Sequence, residues 1–300
     1  MGVMGGAWDY HLATNHSLES VRASRHTLDW ANQPLPFKIY TSLEPLPLPR
    51  ELGPPPRPMP ALAAIAGRVD GLTDAGSPSA SSAADAAGVL DRTMLARLCY
   101  YANGVTKMLR WSGGEMPFRA AACTGALYHV ELYLVCGPLP DLEAGVYHYA
   151  AHDHSLRRLR RGDARPLLVE ATGAEPSVVR APVVVACTST FWRNAWKYQA
   201  RAYRHTFWDT GTVLANLFAV ATAHGLAARL VLGFADGLVN RLLDVDPTRE
   251  VTTCLVALGA LGAAGGVQTR RSVPPPGEHL SATREPASSG PDGGSCRRGG

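Results

Sequence analysis

Lysine is scarce in this chain. Of its 29 basic residues only Lys38, Lys107 and Lys197 are lysines, and the others are arginines. With the heavy use of alanine and glycine this bias reflects genome composition, so each lysine that is kept carries some information. Charge of either sign is sparse, 18% in all, and the net charge of +4 over 300 residues is too small to draw a nucleic acid by itself. The six cysteines include no CxxC pair and no short secreted-scaffold spacing, which removes the disulfide-framework reading. Met1 to Tyr10 has no basic stretch followed by an apolar one, as a signal peptide requires, and Gly6 stands where N-myristoylation prefers Ser or Thr. The most apolar long stretch, 211–235, is broken by Asn216, His224, Gly225 and Arg229. No run reaches the roughly 18–20 residues of a membrane helix. The expectation is a reduced, cytoplasmic, soluble protein with no nucleic-acid and no membrane partner.

Familiar chemical motifs are missing too. There is no GxGxxG after a strand, no phosphate-binding GxxxxGKS or GxxxxGKT, no GxSxG and no HExxH. His152 and His154 form an HxH, but it falls in a presumed hairpin turn without a further ligand, and no metal site is expected. The run Arg157 to Arg161 lacks interleaved aromatics and reads as a solvated hairpin arm rather than a polyanion site.

What is present is enough apolar material, 46%, for a sizeable core. Eight prolines fall between 45 and 60, and 67–88 is mostly Gly, Ala, Ser and Asp; neither can sustain a periodic apolar face. The expected organisation is an N-terminal segment with a Pro-rich wrap (1–66), a flexible linker (67–88), a compact domain (89–264) and a disordered tail (265–300). Within the domain the pattern predicts a helix over Asp91–Ala102 with Asp91 as its cap, and a half-buried strand over Ala126–Cys136. A hairpin follows from Gly145, turning at His152–Ser155. A helix is predicted over Asp163–Thr172 and a buried strand over Pro182–Cys187. Asn194–His224 reads as largely helical, ended by Gly225. A strand over Ala227–Leu232, a helix over Asp236–Leu243 and a strand over Thr252–Leu258 complete the domain. Strands interleaved with helices mean α/β or α+β. Gly211, Ala215, Ala219 and Ala223 recur every four residues as a smooth helical stripe, which suits core packing or the close approach of a planar ligand.

Several phrases then occur in order. They are Tyr10–Ser17 (YHLATNHS), Leu28-Asp29-Trp30, Pro36–Tyr40 (PFKIY), Leu98–Lys107 (LCYYANGVTK) and Arg119–Tyr133 (RAAACTGALYHVELY). Further on come Gly145–Tyr149, Lys197-Tyr198, Asp209-Thr210-Gly211, Ala215-Asn216-Leu217 and Gly233–Asp236 (GFAD). Together, from about residue 9 to 260, they resemble the SagB-type (azoline-oxidase-like) dehydrogenases, a branch of the FMN-dependent nitroreductase superfamily.

The resemblance implies an α+β fold with a central, mainly antiparallel sheet flanked by helices and FMN at a homodimer interface. It implies hydride transfer through flavin N5, in azoline-oxidising members turning a thiazoline or oxazoline of a modified peptide or metabolite into the aromatic azole. Some members carry two such modules; this length matches one, so self-association is expected. Arg22 and Arg25 resemble the phosphate segment, and Arg119 is a second phosphate candidate. Cys123, Gly125, Ala126 and Asn216 fall in cofactor-binding phrases, and Gly233-Phe234 resembles the turn at the N5 edge. Lys197-Tyr198 resembles the pair that supplies the base, since a buried lysine can lose its proton and an arginine cannot. Two departures stand out. The usual Pro-Ser becomes Ala122-Cys123, and the proline after Leu-Tyr becomes His129. They leave open an alternative, a non-catalytic or flavin-free partner subunit of a biosynthetic complex.

Overall fold

The computed structural model describes residues 6–54 and 89–259, with positions 60, 62 and 64 between them; the expected linker and tail lie outside these. Two short helices, α1 (Ala7–Ala13) and α2 (Leu18–Ala23), precede a three-residue strand β1 (Pro45–Pro47). The domain proper opens with α3 (Arg92–Asn103), followed by β2 (Val105–Trp111) and β3 (Gly114–Arg119). Then come β4 (Val130–Cys136), β5 (Gly145–Ala150), β6 (Ser155–Arg161), α4 (Arg165–Ala171) and α5 (Pro176–Arg180). It continues with β7 (Val183–Ser189), α6 (Trp192–Tyr198), α7 (Ala202–Ala223), β8 (Ala228–Val231), α8 (Asp236–Leu243) and β9 (Val251–Leu258).

Seven strands form one sheet in the order β1-β6-β5-β4-β7-β9-β8, and every neighbouring pair is antiparallel. Alternate side chains of its centre feed two cores. Val130, Leu132 and Leu134 of β4, with Val183, Val185, Val256 and Leu258, pack with α3 and α7. Tyr133 and Val135, with Val184, Ala186, Leu255 and Ala257, pack with α4 and α8. Helices thus cover both faces, which is why the central strands read as unbroken apolar runs. The fold is the expected α+β one.

Local chemistry explains most element ends. The Asp91 side chain accepts from the Met94 N–H (2.7 Å) and starts α3. Gly225, at φ 68°, lets the Leu226 N–H return to the Ala221 carbonyl (2.8 Å) and ends α7.

Four expectations need correction. The strand predicted over Ala126–Cys136 begins only at Val130 and is buried along its whole length, because Gly125, Ala126 and Tyr128 take positive φ (70°, 54° and 46°) and make a turn instead. The helix predicted over 194–224 breaks at Gln199, φ 51°, into α6, one tight turn and α7. The Arg157–Arg161 run is no solvated arm. It is β6, held between β1 and β5, with Arg157 buried against Asp153 (2.5 Å) and Arg160 donating to the Leu242 carbonyl (2.8 Å). Of the two readings of the Gly211 stripe, core packing fails: α7 buries His205, Thr206, Asp209, Thr210, Val213, Leu217 and Ala221, whereas Gly211 is exposed and Ala215, Ala219 and Ala223 are half-buried. The exposed hairpin β2–β3 carries no clear alternation and was not predicted.

Candidate active site

The register brings four segments to one end of the sheet. Val130 opens β4 opposite Ser189, which ends β7, and Ser189 lies opposite Val251, which opens β9. The chain that leads into β4, the α6–α7 corner and the exit of β8 all meet that end.

Asp209, on the buried face of α7, organises it. Its carboxylate accepts from the Thr124 N–H (2.9 Å), the Thr124 hydroxyl (2.8 Å) and the Cys123 thiol (3.1 Å). His129 Nε2 stands 2.9 Å from the same oxygen as the thiol. A carboxylate only accepts, so Nε2 donates to it, and Nδ1 lies 2.9 Å from the Ser189 hydroxyl oxygen. Burial alone would lift the Asp209 carboxyl; the bonds from His129, Thr124 and Cys123 hold it below its ordinary value. The Cys123 thiol is pushed up to about 12 by burial and by the adjacent Asp209 carboxylate.

The tight turn at Thr124–Ala126 is thereby fixed to α7, and α6 closes over it. The Asn194 amide donates to the Thr124 carbonyl (3.2 Å), and its oxygen meets His205 Nδ1 at 2.6 Å. Gly125 faces the Tyr198 hydroxyl, and the Tyr198 ring stands edge-on to His205, centroids 4.8 Å apart. Lys197 Nζ lies 5.5 Å from the Tyr198 ring centre. Lys197 is half-buried and makes no ion pair among the described residues. Lys38, by contrast, is held by Glu250 at 2.6 Å, and Lys107 is exposed on the β2–β3 hairpin.

Under the turn lies a charge cluster. Arg193, 1% exposed, donates to Glu131 Oε1 (2.5 Å) and to the Tyr128 carbonyl (2.9 Å). Burial would raise the Glu131 carboxyl, but Arg193 and Arg119 overcome it and hold it well below the usual carboxylate range. Arg119 is turned inward. Its guanidinium donates to the Pro36 carbonyl (2.6 Å) and lies 3.8 Å from Glu131. Its side chain is fully buried, and its Nε has no hydrogen-bond partner among the described residues.

The N-terminal segment docks on α6. His26 meets the Trp196 carbonyl (3.2 Å) and the Gln199 amide (3.2 Å), and the Trp196 indole donates to the Asp29 carbonyl (2.9 Å). Arg22 and Arg25, just upstream, are exposed. Gly233 and Phe234 follow β8; Gly233 is open on its Cβ side and Phe234 packs against the α4/α8 core. Asn216 is half-buried on α7, two turns beyond Asp209. The structure therefore gathers Lys197, Tyr198, Gly125, Ala126 and Cys123 with the Arg22–Arg25 segment beside them. Asp209, Asn194, His205 and Arg193 were not singled out from sequence as site residues. Asp209 alone had a signal, as the first residue of the Asp-Thr-Gly phrase.

Residues 87–260 match the nitroreductase family. A nitroreductase-like protein of Methanocaldococcus jannaschii, MJ1384, is 26% identical over 165 residues, 55% of this chain and 78% of its own. The trifolitoxin-processing protein TfxB of Rhizobium leguminosarum bv. trifolii is 29% identical over 167 residues, 54% of this chain and 45% of TfxB. Among solved structures, a nitroreductase-like protein of Anabaena variabilis superposes with TM-score 0.66 at 29% identity, covering 84% of this chain and 45% of that one. This chain thus spans about half the length of the latter two. With the antiparallel sheet between two helical layers and the family match over more than half its length, the chain belongs to the nitroreductase family.

Proposed function

We propose that this chain is an FMN-dependent oxidoreductase of the SagB type, which dehydrogenates azoline rings in a modified peptide or small metabolite and works as a homodimer. One observation carries the reading: a half-buried lysine without a carboxylate partner sits beside a tyrosine whose position over Gly125 is fixed. The kinship with a trifolitoxin-processing protein supports a peptide substrate.

The donor set fits FMN. Arg22 and Arg25 are exposed and make no ion pair among the described residues, which suits a phosphate dianion. The Gly125-Ala126 turn, Asn216 and the open Gly233-Phe234 turn are the remaining groups that would hold it. Cys123, held by Asp209, and Arg119, whose buried Nε has no hydrogen-bond partner among the described residues, complete the candidate set. Bound FMN supplies the hydride acceptor at N5. Lys197 takes the proton that the ring loses as it aromatises, and Tyr198 orients the lysine. The outer row of α7, Tyr203, Phe207, Gly211 and Ala215, is the face assigned to the partner copy; Tyr203 is 62% and Phe207 52% exposed.

The visible spectrum of the purified chain, with its flavin released and identified, tests this. A yellow protein with FMN near one per chain supports it. A colourless protein that refuses added FMN selects a second reading, a non-catalytic partner subunit of a biosynthetic complex. The observation favouring that reading is the Cys123 thiol, which donates to the Asp209 carboxylate.

A further inference from the structure

The two residues that depart from the dehydrogenase pattern, Cys123 and His129, converge on one carboxylate. Cys123 precedes the tight turn and His129 follows it, yet the thiol lies 3.1 Å and the imidazole Nε2 2.9 Å from Asp209 Oδ2. The three donor atoms lie within 4.8 Å of one another, and this is the one such group of His, Cys, Asp and Glu among the described residues. We propose that Cys123, His129 and Asp209 form a binding site for a divalent zinc-class cation beneath the Gly125 turn.

The donor chemistry selects the ion. One thiolate, one neutral imidazole and one carboxylate cancel the charge of a divalent cation, and this mix of soft and borderline ligands is the one zinc favours. Zinc bonds are about 2.3 Å to sulfur and 2.0–2.1 Å to nitrogen, so shifts on the order of 1 Å bring the three atoms round one ion. The surroundings already hold each ligand from behind, as bound metals require. The Tyr128 N–H donates to Cys123 Sγ (3.1 Å), the Thr124 hydroxyl to Asp209 Oδ1 (2.8 Å), and Ser189 Oγ lies 2.9 Å from His129 Nδ1.

The proton balance closes. Entry of the cation releases one proton, from the thiol, as the metal–sulfur bond forms. The imidazole proton moves to Nδ1, where Ser189 Oγ accepts it, and the Ser189 hydroxyl turns to Thr206 Oγ1 at 3.3 Å. His129 is fully buried and Cys123 partly exposed, which puts the fourth, water-held position on the cysteine side. His152 and His154 offer no rival site: both ring nitrogens of His154 are taken, by Tyr149 (2.8 Å) and the Pro49 carbonyl (3.0 Å). The proposal does not rest on flavin binding.

The test uses the full chain, stripped with EDTA and equilibrated with buffered free zinc. Elemental analysis is expected to find one zinc per chain, and the metal is expected to disappear in both Cys123→Ala and His129→Gln. Because these variants could unfold, the unaltered chain gives a second readout. Zinc is expected to slow maleimide labelling of Cys123, read by peptide mass spectrometry, about tenfold or more. Failure of the wild-type chain to retain zinc overturns the site, as does undiminished zinc in His129→Gln or unchanged labelling of Cys123.

Discussion

A Cβ placed on Gly125 would stand 2.6 Å from the Tyr198 hydroxyl oxygen and 3.1 Å from its ring. The glycine at φ 70° and the tyrosine at the end of α6 therefore define each other's positions. Gly125→Ala must both adopt a left-handed backbone and displace the phenol. The expected cost is about 1–3 kcal/mol, measured by denaturant unfolding, and Tyr198→Ala is expected to relieve part of it. A Gly125→Ala chain as stable as the wild type would show that the turn can move away freely.

Under the proposed function, variants of Lys197 and Tyr198 separate binding from chemistry. Lys197→Ala is expected to lower kcat by about 10²–10⁴ while FMN affinity, followed by quenching of flavin fluorescence, changes little. Tyr198→Phe keeps the ring against His205 and is expected to cost less than Lys197→Ala. Equal turnover in the Lys197→Ala chain would remove the lysine from the mechanism.

The Glu131–Arg193 pair has a clear pH sign. The folded-state carboxyl lies well below its ordinary value, so its contribution is present at neutral pH and is lost as pH falls below about 4, the ordinary carboxylate value. Asp209, also held low, adds in the same direction. Glu131→Gln takes the carboxylate away from the buried Arg193 guanidinium and is expected to cost about 3–5 kcal/mol at neutral pH. Its stability should then fall less steeply on acidification than that of the wild type, as urea midpoints across a pH series would show.

Phe207 tests association. Phe207→Glu puts a charge in the exposed row of α7, and a dimer joined there is expected to run as a monomer in light scattering after gel filtration. An unchanged mass would move the contact elsewhere.

Much of this architecture could be read from the chain, and the exceptions share a cause. Asp91, Gly225 and the apolar runs of β4, β7 and β9 act locally, through capping and burial, so their pattern is in the sequence. The break at Gln199 is invisible because apolar periodicity continues across it and the turn is fixed by distant partners such as His26. Arg193 and Arg119 look like any of the other arginines until tertiary packing pairs them with Glu131. The Lys197-Tyr198 pair is legible only as a phrase that resembles a family; the fold adds the contact of Tyr198 with Gly125. His129 stood out in sequence only as a missing proline, and its tie to Asp209 needed the fold.

The shortest strand has an effect on company. β1 is Pro45-Leu46-Pro47 and seals the outer side of β6, and proline has no N–H to offer a further strand. The opposite rim is β8, four residues long with Arg229 projecting. Among the described residues, neither border offers a long row of free N–H groups to another chain. Copies of this protein that meet are thereby steered away from growing the sheet sideways into a fibre, and left to join through helices, where an assembly can close on itself.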